Sequence, residues 1–71
     1  MSAPDQPRRY IVTAHDLPAA VSAAQAAGAV VGDRMDTLGI FVITATAEIA
    51  ARVAQSPAVS AVEPEGEMTT Q

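Results

Sequence analysis

The stretch IFVITA, from Ile40 to Ala45, carries the clearest β-strand pattern in the chain. It combines β-branched and aromatic residues and contains neither glycine nor proline, a composition that favours a pleated strand. The residues from Asp36 to Gly39 that precede it have the composition of a turn. Before that turn, Ala29 to Met35 includes Val30-Val31 and predicts a second, short strand at a sheet edge.

A first helix is predicted on the N-terminal side of this strand pair. Asp16 can accept backbone N–H groups as an N-terminal cap, and Pro18 is tolerated in a first helical turn. Gly28 can end the helix because it adopts a left-handed conformation without steric cost. Apolar residues repeat at helical spacing between these ends: Leu17, Val21 and Ala24.

A second helix is predicted on the C-terminal side. Thr46 can cap it, and Ile49 and Val53 share one face. Pro57 stops the helix because proline has no N–H group to donate. Two further strands, Arg9 to Ala14 and Val59 to Val62, complete the pattern.

This order of elements predicts an α+β, ferredoxin-like βαββαβ domain. Right-handed crossovers arrange it as a four-stranded antiparallel sheet with two helices on one face, and the first and third strands are central. We expect a disordered lead-in over residues 1–8, a folded domain over 9–64 and a C-terminal tail over 65–71.

The third strand also contains the first indication of function. If Phe41, Ile43 and Ala45 face the helices, then Ile40, Val42 and Thr44 face away from them. A sheet covered on one side is usually polar on the other, but this strand is apolar on both. An uncovered apolar sheet face of this kind commonly binds a partner.

Composition excludes several classes of function. The chain has 71 residues, no cysteine and a net charge of −4, which disfavours thiolate metal sites and nucleic-acid binding. We expect no membrane span and no cofactor or metal, and the lack of a signal-like N-terminus predicts a cytoplasmic protein. The lone His15 is expected to be an exposed bystander, and Asp33 and Asp36 a solvated turn rather than a metal site.

Three segments together resemble the subtilisin propeptide family. They are Tyr10-Ile-Val12 in the first strand, Gly39 and Phe41 around the third, and Pro57-x-Val59-x-x-Val62-Glu63 near the end. The likeness covers residues 9–71. Because no protease domain is attached, the chain is similar to the stand-alone members of the family, the small fungal proteinase inhibitors.

The resemblance implies a mode of action. In this family the sheet face packs on two helices of a subtilisin-like serine protease, and acids at the positions of Glu63 and Glu65 cap those helices. The tail then lies in the substrate cleft, where Met68, Thr69, Thr70 and Gln71 would fill successive subsites and Met68 the apolar fourth one. Two residues depart from the family pattern: Pro64 replaces a common acid, and Gln71 replaces a large apolar end residue.

The resemblance therefore predicts a monomeric, non-enzymatic inhibitor of a subtilisin-family protease that is itself secreted, with folding assistance to that protease in trans as a further role. The alternative from another class is a ferredoxin-like ligand-binding or dimerisation module without a protease partner. An acylphosphatase-type enzyme on the same fold is rejected, because its chemistry needs an asparagine and the chain has none. Removing the tail discriminates between inhibitor and module.

Overall fold

A computed structural model describes residues 6–65 of the chain. Its elements are β1 (Arg8–Ala14), α1 (Leu17–Ala27), β2 (Val30–Met35), β3 (Ile40–Ala45), α2 (Ala47–Ala54) and β4 (Val59–Pro64). The strands form one antiparallel sheet in the order β2-β3-β1-β4. The ferredoxin-like α+β fold is thus confirmed, with β1 and β3 at the centre and β2 at an edge.

Both helices begin and end where local chemistry predicts. The Asp16 carboxylate accepts the Ala19 N–H at 3.3 Å, and the Thr46 hydroxyl accepts the Ile49 N–H at 3.2 Å. Each bond satisfies a donor that has no partner within the helix. Gly28 ends α1 with a φ of 102°, in the left-handed region that favours glycine.

The core lies between the helices and one face of the sheet, called here the inner face. Cross-strand pairing sets Tyr10 opposite Ile43 and Val12 opposite Phe41 on this face. Val12, Phe41 and Ile43 are completely buried, and Val53 of α2 packs with them. Small residues of the helices complete the cluster, chiefly Ala20, Ala24 and Ala50. Alanine keeps the helix backbones close to the sheet and makes the core thin, so single large side chains matter greatly to stability.

Gly39 lies in the turn between β2 and β3, and its backbone contacts the end of the central strand β1. Its φ is +68°, and a Cβ built on it would lie 3.1 Å from the Ala14 carbonyl oxygen. Its own carbonyl accepts the Ala14 N–H at 2.8 Å. Both the backbone conformation and the close approach favour glycine at this position.

The last strand is longer than expected. It continues to Pro64, because Val62, Glu63 and Pro64 pair with β1 opposite Val12, Ile11 and Tyr10 respectively. The sequence pattern placed its end at Val62, since an acid and a proline are unfavourable in a strand. Proline is tolerated here because β4 is an edge strand. Glu63 is therefore held within the sheet.

Candidate docking face of the sheet

The face of the sheet that points away from both helices, called here the outer face, is the candidate site. Strand register assigns its members from all four strands. They are Val30 and Met35 in β2, Ile40, Val42 and Thr44 in β3, Arg9, Ile11 and Thr13 in β1, and Ala61 and Glu63 in β4, followed by Glu65. The structure thus brings five of the residues singled out from the sequence to one surface: Ile40, Val42, Thr44, Glu63 and Glu65.

The centre of the outer face is apolar. Val42 lies cross-strand from Ile11, and Ile40 lies cross-strand from Met35. Although Val42 points away from the core, it is only 8% exposed. It belongs to a central strand, so neighbouring strands shield it on both sides. Ile40 and Ile11 are half-buried, whereas Thr44 is exposed.

The outer face has an apolar extension at the β2 edge that was not predicted from the sequence. Among the described residues the large exposed apolar side chains are Val30, Met35 and Leu38, at 66%, 50% and 63% exposure. Val30 and Met35 lie on the outer face, and Leu38 lies in the turn between β2 and β3. A register shift between Val31 and Arg34 interrupts strict alternation, so period-two reasoning could not assign Met35 to a face. Strand alternation, by contrast, is enough to assign Ile11 to the outer face, because it lies between the inner-face residues Tyr10 and Val12.

The two acids occupy the rim of this face, on the edge strand β4 and just beyond it. Glu63 lies opposite Ile11 and is exposed. The Glu65 carboxylate forms an ion pair with the Arg9 guanidinium, with an Nε–Oε1 distance of 2.7 Å. Their two-residue spacing does set both acids on the same side, as an extended chain requires. The ion pair could not be seen in the sequence, because 56 positions separate its members.

The predicted subsite residues Met68, Thr69, Thr70 and Gln71 lie outside the described residues, as do the first five residues of the lead-in. The remaining candidates are on the surface. His15 is exposed, and Asp36 lies 3.6 Å from the Arg34 guanidinium in an exposed pair. Within residues 6–65 no group of three or more histidines, cysteines or acids is arranged to hold a metal ion.

In comparisons with known proteins, no family model, no curated protein and no solved structure matches this chain. The resemblance to the subtilisin propeptide family therefore stays a prediction from the motif residues. In the described part of the chain, neither helix has the length and apolar character needed to cross a membrane.

Proposed function

We propose that this protein is an inhibitor of a subtilisin-like serine protease. It docks on the enzyme through the outer face of the sheet and inserts its C-terminal tail into the substrate cleft. One observation carries the proposal: the apolar outer face and the two rim acids adjoin the strand from which residues 66–71 continue. A partner that binds this face therefore also lies beside the start of the tail.

The chemistry of the outer face suits such a partner. Ile11, Ile40 and Val42 offer an apolar centre, and docking would remove from water the part of them that is still exposed. Glu63 at the rim carries a negative charge suited to a helix N-terminus, where unpaired N–H groups and a partial positive charge are found. A pair of protease surface helices would satisfy both features at once.

Inhibition itself is the first test. The full chain is assayed against a panel of subtilisin-family enzymes, with chymotrypsin-type enzymes as the control for selectivity. We expect competitive inhibition of at least one subtilase and none of the chymotrypsin type. Absence of inhibition across the subtilases at micromolar concentration would overturn the proposal.

Tail removal is the second test. Deleting residues 68–71 removes an apolar side chain together with strand-like backbone bonds in the cleft, so affinity should fall by about a thousandfold, or about 4 kcal/mol. Circular dichroism should stay unchanged, since the core cluster of the described residues is built from residues between Tyr10 and Val62. Gln71→Tyr is the matched variant, and it should tighten binding where the enzyme's first pocket is large and apolar. Equal inhibition by the truncated and full chains would exclude the tail from the cleft.

A dimerisation module is the second candidate, favoured by the exposed Val30, Met35 and Leu38. Two copies could pair through these residues without any protease. Sedimentation equilibrium decides the matter. A dimer at micromolar concentration that Met35→Asp converts to monomer would support this alternative, and a monomer at all concentrations would exclude it.

A further inference from the structure

Glu65 is the last residue that the structure describes, and it is tied to the first strand in two ways. Its backbone N–H donates to the Arg9 carbonyl oxygen at 3.0 Å. Its carboxylate accepts two contacts from the Arg9 guanidinium, from Nε to Oε1 at 2.7 Å and from Nη2 to Oε2 at 3.4 Å. Main chain and side chain therefore hold the same two residues together.

The two-point geometry orients this pair more closely than a single contact would. Arginine presents parallel N–H groups that match the two oxygens of a carboxylate, so the contact fixes orientation as well as distance. The Glu65 side chain is 35% exposed and the Arg9 side chain 57%, so water screens the pair only in part.

Glu63 has different surroundings, although it lies on the same strand and the same face. Its cross-strand neighbour is the apolar Ile11, and none of the ion pairs within residues 6–65 includes it. Its carboxylate is exposed to solvent. Of the two acids, Glu63 is thus the one that can reach a partner without first breaking an internal bond.

We propose that the two acids have different tasks and that Arg9 is a positioning residue. Arg9 holds Glu65 and thereby fixes the residue that directly precedes the tail residues 66–71, while of the two acids only Glu63 contacts the partner. This proposal rests on the proposed function, in which those residues enter the cleft. Fixing Glu65 before binding lowers the ordering cost of docking, since the residue that precedes the tail is already held when the complex forms.

A charge swap tests the proposal. The variants are Arg9→Glu, Glu65→Arg and the double change, which restores an ion pair of reversed polarity and the original net charge. The matched control is Arg8→Glu, which alters net charge identically one residue earlier in β1, on the side of the sheet that faces the helices by alternation. Two quantities are measured: the inhibition constant against a subtilase, and the hydrogen-exchange rate of the Glu65 amide in the free protein.

Each single change in the pair should speed amide exchange at Glu65 and weaken inhibition by about tenfold. The double change should bring both quantities back to within about threefold of the original, and Arg8→Glu should leave both near it. Recovery of exchange protection without recovery of inhibition would mean that Glu65 contacts the enzyme directly, which overturns the division of tasks. Unchanged exchange in Arg9→Glu would overturn the anchoring role.

The exchange measurement needs no protease, so it separates this proposal from the proposed function. If the original chain inhibits no subtilase, the inhibitor proposal fails. The exchange rates then still decide whether Arg9 anchors the start of the tail.

Discussion

The two faces of the sheet differ less in polarity than in what covers them. On the inner face Phe41 and Ile43 are fully buried beneath the helices. On the outer face of the same strand Ile40 is half-buried, Val42 is nearly buried and Thr44 is exposed, with no helix above them. Hydrophobicity alone would not distinguish Phe41 from Ile40, yet Phe41 is fully buried in the core and Ile40 stays partly exposed.

This difference teaches that burial in a small sheet has two sources. Inner-face residues are buried by a second layer, whereas Val42 is buried by neighbouring strands within its own layer. An apolar central strand can therefore contribute to the stability of the free protein and to a docking surface at once. Substitutions on the two faces should separate these contributions.

The largest effect is expected from the inner face. Phe41→Ala removes a fully buried aromatic ring and leaves a cavity, so it should lower the free energy of unfolding by about 3–5 kcal/mol. That is a large part of the stability of so short a chain, and the domain should be mostly unfolded. Thermal and urea unfolding followed by circular dichroism measure this. A native-like Phe41→Ala protein would contradict the placement of Phe41 in the core.

Val42→Ala should have an intermediate effect, because Val42 is nearly buried without belonging to the core cluster. Loss of its apolar area should lower the free energy of unfolding by about 1.5 kcal/mol, at most half the effect of Phe41→Ala. Urea denaturation of the free protein measures the change. An unaltered free energy of unfolding would show that the burial of Val42 by neighbouring strands does not stabilise the fold. Stability would then come from the inner face and not from Val42.

Ile40→Thr should act mainly on binding. Threonine keeps the β-branched shape that suits a strand but replaces apolar surface with a hydroxyl group. Inhibition of a subtilase should weaken by about tenfold, or about 1.4 kcal/mol, with a nearly unchanged thermal midpoint. Unaltered inhibition together with a lowered midpoint would assign Ile40 to the fold rather than to docking.

Glu63→Gln should have the smallest effect. An acid at a helix N-terminus contributes about 0.3–1 kcal/mol, so inhibition should weaken by about two- to fivefold and depend less on ionic strength. Glu48→Gln is the matched control, since it removes the same charge from the exposed surface of α2. Equal inhibition constants for the two variants would show that Glu63 is merely solvated.

Much of the fold was predictable because its signals are local. The caps at Asp16 and Thr46 and the helix end at Gly28 depend on side chains within a few residues of the backbone they satisfy. The outward orientation of Ile40 and Thr44 follows from strand alternation. The element order and the outward-facing side of β3 therefore follow from local sequence.

Features of the site that depend on distant pairing could not be predicted in this way. The extension of β4 to Pro64 needs β1 as a partner, and the burial of Val42 needs strands on both sides. Met35 reaches the outer face only because a register shift precedes it. In each case the pairing between strands decides the outcome, and composition gives no signal of it.

The identity of the elements, the caps of the helices and the alternation of β3 were thus contained in the sequence, because dihedral preferences and side-chain caps act over a few residues. Tertiary structure alone decided which apolar side chains remain uncovered and which acid is already paired. Arg9 meets Glu65 because the sheet places β4 beside β1 in one particular register. Register arises from packing the whole inner face against both helices, and no single segment specifies it.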